Sequence, residues 1–384
     1  MSISRRSFIR IAGGTGVIMA AGIGGFAVTR EPTAAQKPWR TAGKGYADPR
    51  KRALSYAILA PNPHNRQPWV VDLSTPNVVV LHCDRTRLLP ETDPFDRQIL
   101  IGLGCFLELL AIAAAEDGYV LDTQAFPNGV PGERLDDRPV ARVTFKKEPA
   151  AKADPLFQSV LSRRSNKDPY DTSKPVSGAA LAAIAKAGAV HAPVKTVHAA
   201  DRVKSLRALT WEAHKIEVNT PRTMMESVRL MRIGKSEINA SPDGIDIGGF
   251  FPEAMNQLGL LTRKTIADPK STAFEQGLEM YREIIHSAMA YVWIETADNP
   301  RQSQLMAGRA WLRINLRATA AGVSVHPISQ ALQEYKEMEG LFKSIHGQLG
   351  AKPGGRIQMF GRVGYAATPA PSPRWPLTTR IKPA

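Results

Sequence analysis

Two short stretches carry residue types whose spacing could do chemistry. Residues 60–69 read A-P-N-P-H-N-R-Q-P-W. Pro61 and Pro63 restrict the backbone on either side of Asn62, so the carbonyls and amides of the loop keep fixed directions. Asn65 offers a donor and an acceptor from one short side chain, and Gln67 and Trp69 lead into an apolar run. About a hundred residues later, Arg163-Arg164-Ser165-Asn166-Lys167 gathers three cations and a hydroxyl. An arginine fork donates two parallel hydrogen bonds to an oxyanion, so this cluster is built to hold a phosphate or a carboxylate. The plainer readings are a basic helix end that satisfies its own carbonyls and a proline-rich turn before a strand.

The surrounding pattern shows what must position these groups. A helix is expected over residues 49–59, ended by the two prolines, with strands over 69–73 and 78–83. Residues 99–115 form a helix too apolar all round to lie on a surface, stopped by Gly118. Strands over 119–126 and 140–145 follow. A helix over 155–162 presents the basic cluster at its end. Then come a helix over 181–187, a strand over 195–198 and a helix over 205–217. Residues 221–268 mix Met, Gly and Pro without a simple period and read as an excursion or lid. The rest comprises a strand over 290–295, a long helix over 302–321 stopped by Gly322, a strand over 323–325, and a last strand over 359–365.

The two long helices match without gaps at a single offset of 204 positions. Arg97, Gln98, Gly104, Ala114 and Gly118 recur as Arg301, Gln302, Gly308, Ala318 and Gly322. Both helices precede a short strand, which points to an internal duplication. The expected organisation is a leader over 1–35, a first half over 36–150, and a second half over 151–384 that carries the excursion.

The leader reads Ser4-Arg5-Arg6-Ser7-Phe8, then an apolar, Gly-rich run over residues 11–28. A twin arginine before a mildly hydrophobic stretch resembles a Tat export signal. It implies handling by the Tat machinery and a periplasmic or exported location, with membrane association if the leader is retained. A plain membrane anchor is the alternative. The net charge of +15 would suit a nucleic-acid binder. However, the basic residues are spread along the chain and no aromatic-basic module accompanies them, so nucleic acid is excluded as a partner. Cys83 and Cys105 both sit in apolar neighbourhoods and read as buried thiols rather than a disulfide. No zinc-type spacing is present, and no metal is expected.

The stiff loop and the basic cluster together resemble the flavin enzymes of the nitroreductase superfamily, above all the Acg-type tandem members. The resemblance implies an α+β, nitroreductase-like fold of two fused halves, a pseudo-dimer around one flavin mononucleotide (FMN) site. Ordinary nitroreductases are homodimers in which one subunit gives an Arg-x-Ser-x-Lys/Arg motif and its partner a Pro-Ser-x-x-Asn loop. Here the first half has the loop and the second half the arginines, while His191-Ala192-Pro193-Val194 stands where the second loop belongs. One complete site and a monomer are therefore implied. By the same resemblance Pro61, Asn62, Pro63 and Asn65 line the cofactor, and Arg163, Arg164 and Ser165 hold its phosphate. Lys167 faces the ring edge where negative charge develops on reduction. Ser329 and Gln330 lie near flavin N5, and Arg374 in the Pro-rich tail reaches the phosphate. The flavin carries the chemistry, so no catalytic side chain is required. The implied activity is ping-pong electron transfer from a reductant to a quinone, a nitroaromatic or a related small acceptor. The alternative is a lid-covered flavin-sequestering protein with little turnover.

Overall fold

The computed structural model of the protein describes residues 31–148 and 150–383; the twin arginine and the apolar run of the leader lie outside the described residues. Two helices, α1 (Lys37–Thr41) and α2 (Pro49–Ala57), open the described chain. Asp48 caps α2 by accepting from the Arg50 amide at 2.8 Å, and Pro49 occupies the first helical position, where a missing N–H costs nothing. The first sheet follows: β1 (Trp69–Asp72), β2 (Val78–Cys83), helix α3 (Arg97–Ala115), β3 (Tyr119–Ala125) and β4 (Ala141–Lys147). Its strands lie in the order β1-β2-β4-β3, all antiparallel. Cys83 and Cys105 are both buried free thiols.

The second half repeats this plan around an insertion. It begins with α4 (Gly178–Gly188) and β5 (Val194–Val197). After α5 (Ala200–Asn219) comes the excursion, built of α6 (Pro221–Leu230), β6 (Met231–Ile233), α7 (Gly234–Ala240), β7 (Ile245–Ile247), α8 (Phe250–Gln257) and α9 (Arg263–Ala267). Its two short strands pair in parallel. The chain returns through α10 (Thr272–His286) to β8 (Ala290–Thr296), α11 (Arg301–Ala320), β9 (Ser324–Pro327), α12 (Glu339–Gln348) and β10 (Arg356–Gly364). The second sheet has the order β5-β8-β10-β9, again all antiparallel. With the segment between β5 and β8 and the helix α12 between β9 and β10 set aside, both halves run helix, strand, strand, long helix, strand, strand, and both sheets place the strands in the same spatial order.

The two long helices cross at the glycines that the offset pairs. A Cβ on Gly104 would stand 2.2 Å from the Leu305 carbonyl oxygen, and one on Gly308 would stand 2.0 Å from that of Ile101. The backbones thus touch, and the Cys105 thiol donates to the Gly308 carbonyl at 3.0 Å. The arginines that open the helices make a reciprocal exchange. Arg97 donates to the carbonyls of Leu332 and Gln358 in the second half. Arg301 donates to those of Phe95, Gly132 and Glu133 in the first. One continuous apolar core runs through α2, α3, α4, α11 and both sheets. This burial accounts for α3, which by length and composition could cross a membrane but lies mostly buried inside the protein.

Some elements differ from the sequence expectation. Residues 155–159 form a 3-10 turn capped by Asp154, not an α-helix through 162, so the basic cluster lies on irregular backbone. The strand expected over 323–325 is shifted to Ser324–Pro327, and α12 and the β6–β7 pair gave no clear periodic signal. The tail after β10 crosses back to the first half, where the Lys382 amide donates to the Val71 carbonyl at 2.8 Å.

Since the Gly104–Gly308 crossing leaves no room for a methyl group, Gly308→Ala should lower stability by about 2–3 kcal/mol, as overpacking does. Gly277→Ala, on an open face of α10, should be neutral or stabilising by up to about 1 kcal/mol. Paired thermal unfolding curves check this, and equal midpoints for the two variants would remove the crossing as a constraint.

Candidate active site

The stiff loop leaves α2 and enters β1 through an unusual backbone. His64, Asn65 and Gln67 all adopt left-handed conformations, with φ of 46°, 51° and 50°. For side chains with a Cβ this costs on the order of 1 kcal/mol each, so the loop persists only because its surroundings over-determine it. The Gln67 amide donates to Asn62 Oδ1 at 2.7 Å, and Gln67 Nε2 donates to the Pro242 carbonyl at 2.7 Å. Asn65 Nδ2 donates to the Pro373 carbonyl at 3.0 Å, and the Trp375 amide donates to Gln67 Oε1 at 2.9 Å. Pro61 is buried, while Asn62, Pro63 and Asn65 are half-buried.

Arg163, Arg164 and Arg374 converge on this loop from distant parts of the chain. Arg163 is 3 % exposed and Arg374 is 2 % exposed, values at which a cation normally has a carboxylate partner. Here every hydrogen bond from the three guanidiniums goes to a carbonyl or amide oxygen. Arg163 donates to Leu59. Arg374 donates to Ile58, Leu59, Ala60, Pro373 and Asn65 Oδ1. Arg164 donates to Leu161, Arg163 and Pro369. Among the described residues, buried Arg163 Nη1 has no hydrogen-bond partner. Burial, then repulsion from Arg164, brings the Arg163 pKa down to about 10. Burial, then repulsion from Arg163, brings Arg374 down to about 9, with Asp246 of the excursion acting against the shift. Buried donors with excess positive charge and an orphaned N–H make a site that an oxyanion would complete.

The remaining expected residues fall as follows. Ser165 is half-buried, and Asn166 ties the cluster to β9, its amide donating to the Val325 carbonyl at 3.2 Å and its Nδ2 to Ser324 Oγ at 3.1 Å. Lys167 is exposed and acts on both His64 and His326. Burial first, then the charges of Lys167 and Arg66, holds His64 near 4, so its imidazole is neutral at physiological pH. Ser329 and Gln330 follow β9, but the Gln330 side chain bonds to buried Glu217, whose pKa burial raises. Among the described residues neither Ser329 nor Gln330 bonds to the arginine cluster.

The excursion is fastened to the loop. The Gly244 amide donates to the Asn65 carbonyl at 3.3 Å, and Ser227 Oγ lies 3.4 Å from His64 Nε2. Buried Asp243 binds Arg87 at 2.6 Å, Arg232 at 2.8 Å and Arg66 at 3.5 Å. Sequence reading missed this knot, because Asp243 lies far from Arg66 and Arg87 along the chain and no periodicity links them. In the second half, the segment that corresponds to the loop holds an ion cluster instead. Glu108 lies 2.9 Å from His191, 2.7 Å from Arg309 and 2.8 Å from Arg313. Burial alone would raise Glu108, but the His191 hydrogen bond and the cations hold it at about 2. Two surface cavities, of about 250 and 730 Å³, lie elsewhere; the loop, Arg163 and Arg374 line neither.

These features define a two-half α+β protein with one arginine-lined site between a stiff loop and the chain's own tail. The chain is similar to proteins named as nitroreductases. It is 26% identical over 341 residues to the protein Rv3131 of Mycobacterium tuberculosis, named as an NAD(P)H nitroreductase, covering 86% of this chain and 90% of the relative. Shorter stretches match two other proteins so named. One is acg of the same organism, at 36% over 78 residues, 20% of this chain and 23% of the relative. The other is PigM of a Serratia strain, at 35% over 96 residues, 24% of this chain and 26% of the relative. A solved nitroreductase with bound FMN from Desulfitobacterium hafniense aligns over 61% of this chain and all of its own at 13% identity, with a TM-score of only 0.37. No family model matches the chain.

Removing the Asp243 carboxylate leaves three guanidiniums without their shared anion, a loss of about 3–5 kcal/mol for the docked excursion. Asp243→Ala should therefore speed limited proteolysis within residues 231–268 at least tenfold while far-ultraviolet circular dichroism stays close to wild type. Unchanged cleavage would show that the knot does not hold the excursion down.

Proposed function

We propose that the protein is an FMN-dependent oxidoreductase of nitroreductase type. The observation that carries this reading is the buried arginine cluster, which among the described residues has no carboxylate hydrogen-bonded to it and leaves Arg163 Nη1 without a hydrogen-bond partner. That donor set fits a dianionic phosphate. Arg163, Arg164 and Arg374 would hold the phosphate, with Ser165 adding a hydroxyl. Pro61, Asn62, Pro63 and Asn65 would form the wall of the cofactor slot, fixed by the bonds that over-determine the loop. Lys167 would supply positive charge beside it, and Ser329 and Gln330 complete the proposed contacts. When bound, FMN supplies two-electron chemistry, taking a hydride from a reductant and passing electrons to an organic acceptor. The chain's own residues bind and orient, and the docked excursion keeps water from the loop. The relatives' names support NAD(P)H as the reductant. With no Gly-x-Gly-x-x-Gly unit in the chain, a nicotinamide would meet the cofactor directly rather than in a separate domain. A quinone or a nitroaromatic is the proposed acceptor.

A second reading, a flavin-sequestering protein with little turnover, is favoured by one observation: the Asp243 knot pins the excursion against the cofactor loop. Steady-state reduction of a quinone by NADPH separates the two. We also propose that the twin arginine of the leader directs export of the folded protein by the Tat route to the periplasm, and that the chain works as a monomer.

Purified protein should be yellow and should release FMN on denaturation. Arg163→Ala removes at least one charge-assisted contact, about 1.5–3 kcal/mol, so FMN affinity should fall about 10- to 100-fold in a fluorescence titration. A colourless wild-type protein that binds no FMN would end this reading.

A further inference from the structure

Three arginines packed together repel one another, and something must hold them without consuming their charge. A carboxylate would hold them, but it would also neutralise the cluster and compete with any incoming anion. The structure supplies a different partner. The Trp39 ring centroid lies 4.8 Å from the Arg164 guanidinium carbon, 5.5 Å from that of Arg374 and 5.7 Å from that of Arg163. The negative face of an indole attracts guanidiniums and leaves their positive charge available to a ligand, together with the N–H groups of Arg163 and Arg164 that no carbonyl takes up; Arg374, whose N–H groups all bond to oxygens of the chain, contributes its charge. Trp39 is itself fixed: it is 5 % exposed, and its Nε1 donates to the Ser372 carbonyl at 2.8 Å. Its own segment is stitched to the tail that delivers Arg374. The Arg374 amide donates to the Ala35 carbonyl at 2.9 Å, and Gln36 Nε2 donates to the Pro371 carbonyl at 3.4 Å.

We infer that Trp39 is a positioning residue for the phosphate-binding site, an aromatic platform that holds Arg163, Arg164 and Arg374 converged and charged. The segment behind the leader is then a working part of the site rather than a linker. The inference rests on the reading of the cluster as the FMN phosphate site. It makes a distinction that a merely structural tryptophan would not. Trp39 acts on the ligand only through the arginines, so its loss weakens binding of a phosphorylated flavin and leaves riboflavin, which lacks the phosphate, unaffected.

The test compares wild-type protein, Trp39→Leu and Trp39→Phe in flavin-free form, titrated separately with FMN and with riboflavin. Circular dichroism confirms that each variant is folded. Trp39→Leu, which keeps an apolar side chain without a π face, should lose at least tenfold in FMN affinity while riboflavin affinity changes less than twofold. Trp39→Phe, which restores an aromatic face, should recover most of the loss. Equal loss for both flavins, or an unchanged FMN affinity in Trp39→Leu, would overturn the inference. Should Trp39→Leu fail to fold, Trp39→Phe and Trp39→Met decide by the same comparison, with Met the weaker for FMN alone. Wild-type protein that binds neither flavin would defeat the FMN reading instead. The role of Trp39 is then decided by inorganic phosphate, whose binding, followed by phosphorus NMR, should weaken in Trp39→Leu and would contradict the platform if unchanged.

Discussion

Backbone contact between α3 and α11 at Gly104 and Gly308 sets the spacing of everything around it. Helices meet this closely only where no Cβ intervenes, and here each glycine faces the carbonyl one turn before its counterpart. With the axes held together, each helix carries its own sheet outward, and the first arginine of each reaches across to bond backbone carbonyls of the other half. The halves therefore cannot shift independently. The loop that leaves α2 rests on α3 beside the crossing, where a Cβ on Gly102 would stand 3.0 Å from that of Asn62 and 3.1 Å from Pro63 Cδ.

The duplicated frame holds two different contents. On one side the loop of residues 60–69 meets Arg163, Arg164 and Arg374 and leaves positive charge uncompensated. On the other, Glu108 collects His191, Arg309 and Arg313, and Arg313 also binds Asp154 at 2.7 Å, so the charges cancel internally. An uncompensated cluster is costly to bury unless a ligand offsets it, whereas a closed ion network only joins elements. The same fold thus holds one cluster with excess positive charge and one closed ion network. The excursion adds a third layer: Asp243 binds Arg66, Arg87 and Arg232 beside the loop, which fastens the cover, while Asp246 acts on Arg374 beneath it.

Much of this was legible in the sequence where the signal is local or repeated. Apolar period, Pro61 and Pro63, Gly118 and Gly322 place the main helices and strands, and the 204-residue offset identifies the glycines that cross. The loop and the Arg163–Lys167 cluster were legible as chemistry because their residue types are particular. The rest depends on partners far apart along the chain. Trp39 is one aromatic in a polar stretch, and nothing in its neighbours shows that it lies against Arg163 and Arg374. Asp243 lies in a segment without a period, so its three arginines could not be foreseen. The helix expected over 155–162 is only a 3-10 turn, because packing of the irregular Arg163–Lys167 backbone against β9 outweighs local helix preference there. Gln330 follows β9 as expected, yet its side chain bonds to Glu217, a residue about a hundred positions away.

The central claim is that two halves of one chain build a single anion-binding flavin site, the second being closed by Glu108. Calorimetric titration of FMN into flavin-free protein, with native mass spectrometry on the same sample, tests it most directly. The account predicts a monomer that saturates at one FMN per chain. Two equivalent FMN molecules per chain, or binding only by a dimer, would contradict it.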